Sequence, residues 1–322
     1  MLVHGDALLL VIAALLLDAV IGDPDRLWRR VPHPVVWIGR GIGWLERRLN
    51  RENWSNQGRK LAGVLTVILL VGSALLLGAL LTDLLHGQWL GFLIEALMAS
   101  TLIAQRSLYQ HVARVHRAFI DGGLPAARKA VAMIVGRDPQ RLDDAGVARA
   151  AIESTAENFS DGIVAPVFWL ALLGLPGLIA YKAINTADSM TGHRTDRYVD
   201  FGWAAARLDD LVNLVPARLS GVLIALATPM AHGSIATSFK IMLRDARHHR
   251  SPNAGWPESA MAGALGIVLS GPRVYAESIA NEPYLNADGR IAEPDDIRRA
   301  LRIYAAACAL EVLIYAALAL LL

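Results

Sequence analysis

The chain is poor in residues that staple or ligate. It has one cysteine, Cys308, in 322 residues, so no intrachain disulfide can form and no thiolate cluster can hold zinc or iron. Cys308 lies in an apolar stretch and reads as a packing residue. There is no His-Glu-x-x-His run, and His33, His193, His248 and His249 are not spaced as zinc ligands. No Gly-x-x-x-x-Gly-Lys-[Ser/Thr] loop occurs. Gly39-Arg-Gly41-Ile-Gly43 lacks the preceding strand and full spacing of a dinucleotide loop, and reads as helix packing or a turn. The net charge of +2 is small and the basic residues are local, so there is no nucleic-acid signal. No stretch alternates at period two for long, which argues against a sheet-rich fold. No internal repeat or low-complexity tract is present.

Apolar sequence, in contrast, is plentiful. The chain is 54% hydrophobic, with a mean hydropathy of +0.39. Residues 61–81 run without a charge, and 303–322 are interrupted only by Glu311. Segments 7–21 and 89–104 are weaker, being short or carrying Asp18 and Glu95. Gly, Pro and Asn punctuate segments of helical period elsewhere. The expected fold is all-α: one polytopic membrane domain over 1–322, with about four to six inserted segments joined by helical cytoplasmic segments. The N-terminus has no basic leader and no small-residue cleavage pattern, and is read as a retained span.

Positive charge orients these spans. Residues 23–60 hold nine Lys/Arg and 106–149 hold eight, whereas 82–88 hold none. The basic loops are therefore expected in the cytoplasm and the 82–88 link outside. Arg298, Arg299 and Arg302 place the start of the last span inside, so an even number of crossings is expected between 106 and 299. Residues 163–180 are long enough to cross, but Gly174-Leu-Pro176-Gly177 is a strong turn signal. A helical hairpin that dips in and returns is preferred there, with 219–230 as a second partial insertion.

Polar residues concentrate where they are costly. Residues 143–213 hold ten Asp/Glu against five Lys/Arg, in a chain that is slightly basic overall. Glu153 and Glu157 share a helix face, followed by Asn158, Ser160 and Asp161. Asn185, Asp188 and Ser189 repeat the theme, as do Asp209 and Asn213. Magnesium suits such a set, since it takes one or two carboxylates plus phosphate oxygens and retained water. Solvated helix faces and caps are the bland alternative. His33, held between two prolines, could face a ligand or simply solvent. Arg137, Lys182, Arg218, Arg244 and Arg247 are candidate binders of phosphate or carboxylate, against a background of ordinary flanking charge. Four segments carry these groups: 23–60, 136–162, 182–218 and 244–258.

Taken together, the motifs resemble a known family. Gly22-Asp23-Pro24, His33-Pro34-Val35, Ile38-Gly39 and Gly136-Arg137-Asp138 are similar to the adenosylcobinamide-phosphate synthase family of cobalamin biosynthesis (CobD/CbiB). So are Arg149-Ala-Ala-Ile-Glu153, Glu157-Asn158-Phe-Ser160-Asp161-Gly162 and Tyr181-Lys182-Ala-Ile-Asn185-Thr186-Ala-Asp188-Ser189-Met190. Phe201-Gly202-Trp203, Ala206-Arg207-Leu208-Asp209-Asp210, Asn213, Pro216-Ala217-Arg218, Arg244-Asp245 and Ser251-Pro252-Asn253-Ala254-Gly255 extend the match over most of the chain. Pro139 departs from it, because the family usually has threonine there.

The resemblance implies ATP-dependent joining of adenosylcobyric acid to aminopropanol phosphate, or to a related amino-alcohol phosphate, with Mg²⁺. It implies a multi-pass protein of the inner membrane, its site facing the cytoplasm, beside membrane lipid and other membrane enzymes of cobalamin assembly. For this chemistry Glu157, Asp161, Asp188, Asp209 and Lys182 are the catalytic candidates, with Glu157, Asp161 and Asp188 as magnesium ligands. His33, Arg137, Asn158, Asn185, Ser189, Asn213, Arg218, Arg244, Ser251 and Asn253 are the substrate-binding candidates. A transporter built on broken helices and a non-catalytic sensor relative are the competing readings. No matching halves appear, which disfavours the first; the retained acid and amide sets disfavour the second.

Overall fold

Away from water, a backbone must satisfy its own polar groups, and an apolar chain without strand alternation does so as helix. The computed structural model describes residues 5–135, 139–193, 195–274, 279–280 and 282–322. Among them run α1 (Gly5–Val20), α2 (Asp25–Trp28), α3 (Pro34–Leu49), α4 (Asn56–Leu85), α5 (Trp89–Ser100), α6 (Gln105–Val131) and α7 (Asp144–Phe159). A π-helical turn, Ser160–Val164, leads to α8 (Ala165–Thr191). There follow α9 (Trp203–Val212), α10 (Leu214–Ala227), α11 (Ile235–Asp245), α12 (Gly255–Leu265) and α13 (Pro294–Leu321). Strands are confined to two antiparallel two-residue pairs between α12 and α13: β1 (Leu269–Ser270) with β4 (Tyr284–Leu285), and β2 (Arg273–Val274) with β3 (Ile279–Ala280).

The chain is thus an all-α polytopic membrane protein. Among the described residues four helices are long and apolar enough to cross a membrane: Asn56–Leu85, Asp144–Thr191, Leu214–Ala231 and Pro294–Leu321. Segments 7–21 and 89–104 form α1 and α5, helices of 16 and 12 residues. The chain packs as two compact units, Met1–Ala104 with Ala165–Asn213 and Tyr315–Leu322, and Gln105–Val164 with Leu214–Ile314.

In the first unit α4 shows how a membrane helix packs without hydrophobic contrast to its surroundings. Ala62, Thr66, Leu70, Ala74 and Gly78 recur every fourth residue and are buried, while Leu61, Ile68, Leu76, Leu80 and Leu84 point outward. Small residues on the inner stripe let neighbouring backbone approach closely. A Cβ at Gly63 would overlap the Phe201 carbonyl, and one at Gly78 would lie 2.7 Å from the Pro176 nitrogen.

Within α8 the chain doubles back. Gly174 has φ 65° and ψ −157°, a region open essentially to glycine alone, and Pro176 follows. Across the bend, a Cβ at Gly177 would lie 2.5 Å from the Trp169 carbonyl oxygen. Residues eight apart on a straight helix are separated by about 12 Å. Both arms also reach the end of α9: the Trp169 indole donates to the Val212 carbonyl (3.2 Å) and the Tyr181 hydroxyl to Asn213 Oδ1 (3.0 Å). Gly63 and Gly78 are about 22 Å apart along α4. One holds the loop after α8 and the other the bend, so the second arm of α8 returns toward the N-terminal end of α4.

An ionic clasp fixes that loop. Arg197 Nε and Nη2 donate to Glu46 Oε1 (2.9 and 2.7 Å), while the Arg197 carbonyl accepts from Asn50 Nδ2 (2.9 Å) and from Arg59. Phe201, buried to 2% exposure, closes the loop.

The second unit repeats the bend in α6, where Gly123 takes φ 63° and ψ −160° ahead of Leu124 and Pro125. Its core includes Tyr304, which donates to the Gln105 carbonyl (2.7 Å) and meets Phe159 edge-on. Buried Asp296 accepts from Arg290 (2.6 Å) and Arg299 (2.8 Å), anchoring the start of α13.

Candidate functional site

In the first unit one set of acids and amides lies at the ends of two helices. Asn185, Asp188 and Ser189 sit on the last turns of α8, and Asp209 and Asp210 on the last turn of α9, with Asn213 as its cap. Asp209 accepts from Asn185 Nδ2 (3.4 Å) and from Asn213 Nδ2 (3.0 Å). Asn213, at 1% exposure, is itself held by the Tyr181 hydroxyl. Gly192 leaves room for the Asp188 side chain, since a Cβ there would overlap the carboxylate as it stands; its amide donates to the Asp188 carbonyl (2.6 Å). Ser189 is exposed and its hydroxyl returns to the Asn185 carbonyl (2.9 Å). Lys182 lies half-buried on the same arm.

Electrostatically this is a strained set of acids. Burial and then the neighbouring Asp188 carboxylate push the Asp209 carboxyl up to about 7, against the stabilising hydrogen bonds from Asn185 and Asn213. The folded chain therefore binds the Asp209 proton over a range in which the unfolded chain, with its ordinary carboxyl near 3.8, has lost it. This contribution to stability is complete below that ordinary value and is lost as pH rises through the folded one. In metal-free detergent solution, melting should thus occur at lower temperature at about pH 8 than at about pH 6, and Asp209→Asn should narrow the gap. An equal gap in the variant would reject this account of Asp209.

The second unit carries two further groups. Glu157 and Asn158 are exposed at the end of α7, with Asn158 Nδ2 on the Ser154 carbonyl (2.9 Å). Asp161 begins the π-helical turn, a rare form that often marks functional sites. Next to Asp161, Ser160 is buried to 1% exposure, and its hydroxyl has no hydrogen-bond partner among the described residues. Glu153 points elsewhere, accepting from the Ser270 amide (2.7 Å).

The other group is cationic. Arg218 donates to the Leu214 carbonyl (2.7 Å) and to Asn253 Oδ1 (3.3 Å), and its guanidinium lies 4.6 Å from the Trp256 ring centre. Arg247 is near enough to interact electrostatically. Ser251 Oγ accepts from the amides of Asn253 and Ala254 (3.2 Å each), shaping the turn into α12.

Other sequence candidates have local employment. Arg244 forms a two-pronged pair with Asp245 (2.6 and 2.8 Å). Burial alone would raise the Asp245 carboxyl, but Arg244 and the Asn286 amide hold it below the usual range. His33 caps α3 by accepting from the Val35 amide (3.2 Å), lies 3.4 Å from Asp23 and packs edge-on against Trp28. Arg137 lies outside the described residues. Among the described residues no three His, Cys, Asp or Glu side chains come close enough to cage a metal by themselves. Tyr181, Asp210, Gly192 and Trp256 were not singled out from the sequence as site residues. Their signals were present, in that Tyr181 and Asp210 fall inside quoted motifs, but an aromatic in an apolar helix reads first as packing.

Fold and site thus define a polytopic helical membrane protein with clustered carboxylates and amides on paired helix ends. The profile described as "CobD/Cbib protein" matches residues 11–304. Relatives named "Cobalamin biosynthesis protein CobD" are 52% identical over 302 residues in Rhodobacter capsulatus, covering 93% of each chain. One from Rhizobium meliloti is 49% identical over 320 residues, 98% of each, and one from Sinorhizobium sp is 51% identical over 309 residues, 94% of this chain and 96% of its own. The chain belongs to the CobD/CbiB family. No solved structure matches it.

Proposed function

We propose that this protein is the amide ligase of cobalamin assembly, joining a side-chain carboxylate of adenosylcobyric acid to the amine of an amino-alcohol phosphate at the expense of ATP. The observation that carries the reading is the Asp188, Asp209, Asn185 and Asn213 set, in a chain whose relatives bear a cobalamin-biosynthesis name. A carboxylate accepts a nucleophile poorly at neutral pH. Phosphoryl transfer from ATP converts it to an acyl phosphate and leaves ADP; the amine then displaces phosphate, forming the C–N bond and releasing a proton. Asp209, its carboxyl near neutrality, is suited to take up that proton.

Magnesium fits the donor set. Asp188 and Asp209 repel one another, and a cation that Asp188 would hold, with retained water and phosphate oxygens, would relieve that repulsion. When bound, it would offset charge on the transferring phosphoryl group. Lys182, on the same arm as Asp188, offers positive charge for phosphate oxygens; within the other unit Arg218 is braced by Asn253 and Trp256. The amine's identity, whether aminopropanol, ethanolamine or threonine phosphate, turns on small groups; a methyl is worth only about 1–3 kcal/mol.

The proposed site faces the cytoplasm at the inner membrane, a reading supported by the basic loops and the returning arm of α8. Purified protein in detergent, given adenosylcobyric acid, aminopropanol phosphate, ATP and Mg²⁺, should yield a corrinoid heavier by the amide-linked amine, read by mass. Folded protein giving no amide would remove the ligase reading.

A further inference from the structure

α3 turns two different faces to its surroundings. Ile42 and Glu46 are buried, and Gly39 lies against the Met190 sulfur at the end of α8. The opposite arc is exposed and contains Trp37 (56%), Trp44 (52%) and Val36 (44%). At helical spacing, Arg40 and Arg47 flank the tryptophans on one side and Arg48 on the other, all three exposed. The Arg48 guanidinium stands 5.0 Å from the Trp44 ring centre. Trp54, in the link between α3 and α4, is also exposed.

An exposed tryptophan stripe edged by arginines is unfavourable in water and fits the boundary between headgroups and acyl chains. Chain connectivity sets the depth. α3 ends at Leu49, α4 begins at Asn56 with Arg59 and Lys60, and the charge-free run starts at Leu61. Arg59, two residues before that run, donates to Asn50 Oδ1 (2.9 Å) at the end of α3, so the level at which α4 enters hydrocarbon lies close to the C-terminal end of α3.

We propose that α3 is an interfacial anchor that lies on the leaflet at the N-terminal end of α4 and selects anionic phospholipid. Tryptophan rings enter the acyl boundary, and Arg40, Arg47 and Arg48 bind headgroup phosphates and carry the preference for negative lipid. Because the inner face of α3 rests on the end of α8, the anchor also fixes the height of Asp188 and Ser189 above the lipid.

Gly41 offers a reporter position, since it lies on the exposed arc with open space around an added Cβ. Full-length Cys308→Ala/Gly41→Cys, labelled with an environment-sensitive fluorophore, is reconstituted into phosphatidylcholine vesicles with or without roughly one-third phosphatidylglycerol. Blue-shifted emission, quenched by lipids brominated near the headgroup and about twofold more strongly with phosphatidylglycerol, is expected. Arg40→Gln/Arg47→Gln/Arg48→Gln should erase the dependence on lipid charge but leave quenching in place, and Trp37→Ser/Trp44→Ser should weaken quenching in both vesicles. Water-like emission untouched by brominated lipid would overturn the proposal. So would shielding that grows with the protein-to-lipid ratio without lipid quenching, which would make the face an interface between copies.

Discussion

Asp188→Asn should lower amide formation by at least about a thousandfold, equivalent to about 4 kcal/mol of lost transition-state stabilisation. Asparagine keeps the shape that Gly192 accommodates, so the helix end should survive while the charge disappears. That charge has two uses in the proposed reaction: it draws a cation to the carboxylate pair, and it raises the proton affinity of Asp209. Two measurements follow. Corrinoid product should vanish while the melting temperature is kept, and Mg²⁺ titrated into the folded variant should bind more weakly than into the parent. Asp210→Asn, which removes the weakest of the influences on the Asp209 carboxyl, should cost far less. Turnover by Asp188→Asn within a few-fold of the parent would remove Asp188 from the chemistry and shift attention to the second unit, where Glu157 and Asp161 stand.

Gly78→Leu should strongly destabilise the first unit. A Cβ at Gly78 meets backbone atoms of Pro176, which cannot swing aside as a side-chain tip would, and a full leucine must displace the whole bend. Overpacking of this kind costs about 1–3 kcal/mol or more. Gly72→Leu supplies the control, on the same helix and with nothing within 4 Å of its added Cβ. Thermal unfolding in detergent should show a marked loss for Gly78→Leu and little change for Gly72→Leu. Equal melting temperatures would mean that α4 does not seat the bend.

Much of the fold was legible because membrane helices write themselves in long uncharged runs. α4 and α13 were evident from composition, and Gly174-Leu-Pro176 marked a turn by residue type alone. The same tripeptide at Gly123 is a weaker signal, because α6 is polar and a turn in a polar segment has no topological consequence to betray it. The division into two units was not legible, since it arises from which helices touch, and periodicity is silent on that. In the site, spacing put Asn185 with Asp188 and Asp209 with Asn213 on common faces. It could not show that the two helix ends meet through the Asn185–Asp209 hydrogen bond. His33 and Arg244 illustrate the reverse: the chemistry was visible in the sequence, but helix capping and an adjacent aspartate take up those groups.

The contact between Gly78 and Pro176 also has a consequence for biogenesis. In the proposed topology a folded-back helix pair carries its turn deep into hydrocarbon, where freed backbone groups need protein cover before they arrive. The ribosome delivers α4 nearly a hundred residues ahead of that turn. α4 can thus be in place as a wall when the pair is made, and its four-residue stripe of small side chains becomes a template against which a later, otherwise uninsertable segment is threaded.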